Sequence, residues 1–172
     1  MVRAGLAGKA HGRGPVTGAA YVPAASVVFA SALAALPIVS ASGWWPSFGL
    51  LMLLGWRMLR ADAWPAWWAA PLGFVNDLFS GAPLGMSVAL WTALMLVMDV
   101  VDRRTQWRDY WIEWALAALL VAAAAWVEAA VAGLAGAPPR PSMTIPAALI
   151  EMLAFPLAAF VAVRLDRWRL GR

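Results

Sequence analysis

Apolar residues in this chain come in long blocks separated by short polar clusters. The stretches at about 21–40, 46–61, 64–79, 85–102, 110–134 and 143–165 are each dominated by Ala, Leu, Val, Met, Phe and Trp. A half-buried strand would alternate polar and apolar positions over about four to eight residues, and none of these blocks does so; their length asks for helices. Six helices are therefore expected, preceded by a Gly-, Ala- and base-containing arm without apolar period at 1–20 and followed by a basic tail at 167–172. A helix rises about 1.5 Å per residue and the bilayer hydrocarbon is about 30 Å thick, so the second and third blocks are short for a span. They must lie among other helices or thin the bilayer locally. Pro46 and Pro65 suit first-turn positions of those helices, and Pro156 is expected to kink the last.

Composition identifies the solvent. With 63% apolar and 13% charged residues over 172 positions, and a mean hydropathy of +0.73, the chain has too little polar surface to cover a water-soluble globule. The expected fold is all-α: a polytopic membrane protein, a compact bundle of six transmembrane helices with both termini cytoplasmic. The net charge of +4 forms no basic stripe interleaved with aromatics, which argues against nucleic acid as a partner. Instead it reports topology. With the N-terminus inside, Arg3, Lys9, Arg13, Arg57, Arg60, Arg103, Arg104, Arg108, Arg164, Arg167, Arg169 and Arg172 fall on the cytoplasmic side, and Arg140 alone falls outside. Tryptophans follow the same two boundaries: Trp64, Trp67, Trp68, Trp107, Trp111, Trp114 and Trp168 inside, Trp44 and Trp45 outside. Val39-Ser40-Ala41 has the look of a signal-peptide cleavage site, but the apolar stretch before it is long for a signal and reads as a span.

Three carboxylates stand out within the spans: Asp77 in the third, Glu128 in the fifth and Glu151 in the sixth. The topology puts each in the outer half, at depths of about 4 to 12 Å by helical rise. A carboxylate near hydrocarbon is costly unless paired, protonated or hydrated. One reading is a polar pocket open to the outer side, taking a cation, a proton or a polar group of a partner. The other is structural, with Asp77 and Asn76 capping a helix end and the glutamates held within the bundle. Small-residue rows at Ala69, Gly73 and Asp77, and at Ala125, Ala129 and Gly133, recur every four residues and favour close helix packing. No span carries the polar stripe of a wide pore.

The chain has no cysteine, and its one histidine, His11, lies in the arm. Thiolate chemistry and Cys-ligated metals are excluded, and no cofactor is expected. No nucleophile with a base, phosphate-cradling loop or metal-ligand spacing is present to suggest catalysis. Between spans four and five, Asp99, Asp102, Arg103, Arg104, Arg108 and Asp109 form a mixed-charge cluster, either a solvated turn against anionic lipid headgroups or a cytoplasmic docking patch.

Two adjoining phrases carry a resemblance. The segment Pro46–Asp62, PSFGLLMLLGWRMLRAD, is a Pro-led, leucine-rich span ending in a basic turn, and Gly73–Gly85, GFVNDLFSGAPLG, sets Gly73, Asp77, Leu78, Gly81, Leu84 and Gly85 in a Gly-x-x-x-Asp-Leu-x-x-Gly-x-x-Leu-Gly pattern. This resembles the bacterial rod shape-determining protein MreD family. Looser similarity covers Trp56, Glu128, Pro156 and the basic residues from Arg164 to Arg169, while Glu151 stands where the family often has a neutral polar residue. The resemblance implies a non-enzymatic component of the bacterial inner membrane. It would bind MreC and, through it, work with MreB filaments, RodA and its penicillin-binding transpeptidase. On that reading, Gly73, Asn76, Asp77, Gly81, Glu128 and Glu151 form an outward polar seam for the partner. Arg57, Arg60, Arg103, Arg104 and Arg108 would form a basic face toward the filament and the lipids.

Two readings of other classes remain open. A substrate-binding membrane subunit of a vitamin or metal uptake transporter also has about six short helices and an outward pocket, and the analogy is one of fold only. A small proton-coupled carrier would use Glu128 and Glu151.

Overall fold

A computed structural model of the chain describes residues 19–36, 46–60, 64–104, 110–134, 136 and 141–171, and the described residues are helical, with no strand. Helix α1 spans Val22–Ala32 and tightens into a 3-10 turn at Leu33–Ala35. Helix α2 is Phe48–Leu59; a 3-10 turn at Ala66–Trp68 leads into α3, Ala69–Ser80. Helices α4, α5 and α6 are Met86–Arg104, Tyr110–Leu134 and Pro141–Arg169. The expected arm at 1–18, the cleavage-like Val39-Ser40-Ala41, and Trp44, Trp45, Trp107, Arg108, Asp109, Arg140 and Arg172 lie outside the described residues.

The helix positions follow the apolar blocks, with informative differences at the ends. Helix α5 occupies the predicted range, whereas α2 and α3 have only 12 residues each. Neither proline sits in a first turn. Pro46 precedes Ser47, the N-cap of α2, and Pro65 caps the 3-10 turn in an extended conformation that the following helix could not adopt. Helix α6 runs on through Pro146 and Pro156.

Two helices are long and apolar enough to cross a membrane by length and composition: Trp111–Leu134 and Thr144–Arg169, with mean hydropathies of 2.1 and 2.0. The core helix of a soluble protein would be enclosed. Here only 22% and 17% of the two apolar windows is buried, and Leu119, Trp126, Leu149, Leu153, Leu157 and Phe160 point outward. That exposed apolar surface is what a hydrocarbon solvent would cover.

The short α2 is the enclosed element. Every residue from Gly49 to Arg57 is buried, against α1 on one side and α6 on another. Around it, α3 pairs with α4 and also meets α1, while α5 pairs with α6. Leu50, Leu53, Leu54, Trp56, Trp91 and Met95 fill the centre. Lipid is as apolar as these side chains, so between membrane helices close packing must supply what water exclusion supplies elsewhere. Two glycines set how closely the helices approach. A Cβ at Gly73 would lie 2.7 Å from the carbonyl carbon of Ser87, and one at Gly49 would lie 2.9 Å from Asn76 Oδ1 and overlap Ser31. The row Ala69, Gly73, Asp77 is thus the face of α3 that meets α4. The second row behaves differently, because Ala125 and Ala129 line clefts between α5 and α6 rather than a closed seam.

Candidate functional site

Polar side chains gather at the two opposite ends of the bundle. At one end lie the start of α2, the turn from α3 to α4, and the acids of α5 and α6. At the other lie the start of α1 and the ends of α2, α4 and α6.

At the first end, Asp77 is 1% exposed and sits in the last turn of α3. Gly81 follows in the left-handed conformation, φ 68°, and reverses the chain so that α4 begins beside the carboxylate. Asp77 Oδ2 accepts the Gly85 amide at 2.8 Å and Oδ1 accepts the Ser87 amide at 2.9 Å. These amides belong to the unsatisfied donors of a helix start, where the macrodipole also favours negative charge. Asn76, 7% exposed, donates through Nδ2 to Ser87 Oγ at 3.0 Å. Asp77 and Asn76 therefore hold the next helix, as the structural alternative anticipated, and Gly73 is what lets α4 come close enough to be held.

Glu151 does the same across a far longer chain separation. Its Oε1 accepts the backbone amide of Ser47 at 2.8 Å and so caps α2 from α6. Its side chain also lines a cavity of about 380 Å³ together with Ser47, Ser80, Thr144 and Glu128. Glu128 makes no hydrogen bond with a described residue, is exposed to this space, and stands within electrostatic range of both Asp77 and Glu151. It also borders a second space of about 270 Å³ with Asn76, Ser80 and Ser87. The fold thus brings the three acids to one end but divides their work. Two are helix caps, and Glu128 keeps both oxygens for something else. Ser47, Ser80 and Thr144 were not legible as site residues, because isolated hydroxyls near span ends carry no pattern.

At the opposite end Arg57 is 3% exposed and pairs with Asp99 and, at 2.7 Å, with Asp102, both on α4. Its charge is therefore not part of a basic surface, and Asp99 and Asp102 belong to a helix rather than a free turn. Arg60 pairs with Asp166 Oδ2 at 2.7 Å, and Arg169 reaches Asp166 Oδ1 at 2.7 Å. Arg169 also lies 5.3 Å from the Trp56 ring centroid and donates to the Ala19 carbonyl at 3.3 Å. Trp56 Nε1 in turn donates to Ser26 Oγ at 2.8 Å, joining α1 to the cluster. Arg103 is exposed, and Arg104 ends α4.

No family model, curated protein or solved structure matches this chain.

Proposed function

We propose that the chain is a multi-pass protein of the bacterial inner membrane, with six spans and both termini in the cytoplasm, that acts as an MreD-like, non-catalytic component of the cell-elongation machinery. It binds MreC and through it helps organise peptidoglycan synthesis by RodA and its transpeptidase alongside MreB filaments. One observation carries most of this reading. The Gly73–Gly85 phrase that bears the resemblance folds as a single unit, α3, turn and α4, in which Gly73 permits approach, Asp77 caps and Gly81 reverses the chain. A phrase whose acid is fully engaged in building a helix pair suits a scaffold better than an enzyme. The short α2 and α3 fit the same picture, since each packs along a longer helix, α2 on α6 and α3 on α4.

The test is co-purification. Tagged protein extracted in mild detergent is expected to bring down MreC from a cell that expresses both, and to restore rod shape to cells lacking the family member. Failure of both with a folded, membrane-inserted protein overturns the proposal. The outer cavity favours one second reading, a solute-binding subunit of an uptake transporter. That reading requires a water-soluble small molecule to remain bound through purification, and native mass spectrometry would reveal its mass.

A further inference from the structure

The outer cavity is one side of a cleft between α5 and α6. Ala125, Ala129, Thr144 and Ala148 line both this cavity and a groove of about 220 Å³ that opens on the outward face of the two helices. Small residues spaced in this way normally let helices close up. Here α5 and α6 pair, yet a polar space and an apolar one open on either side of four small side chains at their interface. The two spaces differ in chemistry. The groove is completed by Trp126, Ile145 and Leu149, which are 75%, 57% and 53% exposed and face the surface that hydrocarbon would cover.

The cavity side carries carboxyl oxygens that have no partner among the described residues. Glu151 is 7% exposed and lines the cavity, and while Oε1 caps α2, Oε2 accepts no hydrogen bond from a described residue. Glu128 accepts none through either oxygen. Among the described residues no Arg or Lys lines the cavity, and the described arginines cluster at the opposite end of the bundle. Two carboxyl groups with free acceptor oxygens at one cavity suit a cation that donates hydrogen bonds. A soluble cation would satisfy the acids alone, whereas the groove behind the same four residues asks for hydrocarbon. An amphiphile answers both. The direction also fits, because Ala122, at the inner end of the groove, is six residues from Glu128, about 9 Å deeper along α5.

We propose that the α5–α6 cleft binds an amine-headed membrane lipid, with its ammonium group hydrogen-bonded to Glu128 and to the second oxygen of Glu151, and with one acyl chain in the outward groove. The small side chains of Ala125, Ala129 and Ala148 are then the passage between headgroup and chain. Glu128 makes no hydrogen bond with a described residue, so its replacement should leave the bundle intact.

The experiment uses the full chain reconstituted into vesicles of equal dioleoyl-phosphatidylethanolamine and dioleoyl-phosphatidylglycerol, gently re-extracted and examined by native mass spectrometry. The ethanolamine lipid is expected to be retained about tenfold over the glycerol lipid, the effect of one charge-assisted hydrogen bond. Glu128→Gln is expected to abolish the preference while circular dichroism stays unchanged, and Ala129→Leu, which fills the passage, to reduce retention of the ethanolamine lipid. Dioleoyl-phosphatidylcholine, whose headgroup has no N–H, should be retained no better than the glycerol lipid. Equal retention of ethanolamine and glycerol lipids by the wild type, or an unchanged preference in Glu128→Gln, overturns the proposal. Displacement of the lipid by millimolar O-phosphoethanolamine would assign the cavity to a soluble amine and overturn it equally. The inference rests on the proposed membrane placement, which fails separately if alkaline carbonate strips the protein from membranes.

Discussion

Asp77 shows how a costly residue becomes an inexpensive one. Its two oxygens take two helix-start amides, so removing the side chain would strand two donors in a buried site. Asp77→Ala is expected to lower stability by about 2–3 kcal/mol, as loss of a buried charged cap does, read from unfolding in mixed detergent micelles. Asp77→Asn, which keeps one acceptor, should lose less. Glycines on the neighbouring faces give a paired prediction. A Cβ at Gly73 would press on the Ser87 backbone at 2.7 Å, and main chain cannot rotate away, so Gly73→Ala should cost about 1–3 kcal/mol. At Gly55 the nearest atom, the Ala158 carbonyl oxygen, is 3.5 Å away, so Gly55→Ala in the same assay should be neutral or slightly stabilising through helix propensity.

At the scale of elements, the arginine clusters fasten helices that are far apart in sequence. Arg57 ties α2 to α4, and the Arg60, Asp166 and Arg169 group ties the end of α2 to the end of α6 and the start of α1. Arg57→Ala removes the cation that Asp99 and Asp102 share. Because both acids are partly exposed, water softens the loss to about 2 kcal/mol, less than for a fully buried pair. At the same end Asp166→Asn weakens the two ion pairs that hold Arg60 and Arg169 and is expected to lower stability, as followed by circular dichroism of the solubilised protein.

For the whole molecule the decisive arrangement is polar at both ends and apolar around the sides, with the acids at one end and the paired arginines at the other. Since the chain contains no cysteine, single cysteines report its placement cleanly. Gly136→Cys, in the turn after α5, is expected to react with a membrane-impermeant maleimide added to intact spheroplasts, and Gly171→Cys, after α6, only once the membrane is opened. The reverse pattern would invert the proposed topology. Labelling of both positions from outside would place the two ends of α6 on one side and remove it as a span.

The helical class, the positions of the six helices and the segregation of arginine are legible along the chain, because each is a local property: block length, apolar content and the charge that flanks a block. Helix α5 could be bounded to the residue, since Tyr110–Leu134 is a predominantly apolar run, interrupted by Glu113 and Glu128, between the polar sequence at 105–109 and the Gly- and Pro-containing one at 135–140. The short helices were less legible, because the residues after Pro46 and Pro65 are apolar whether or not they have begun to coil. What only the tertiary structure decided was the partner of each polar group. Asp77, Glu128 and Glu151 are chemically alike and were placed at one level by counting residues, yet two of them cap helices and one faces open space. Arg57 and Arg103 both read as cytoplasmic charges, yet one is enclosed by two aspartates and the other is exposed. The difference has a simple physical reason. A helix start offers its free amides to whichever side chain the packing brings near, and Glu151 reaches Ser47 across 104 residues because α2 lies against α6. No pattern along the chain records that approach.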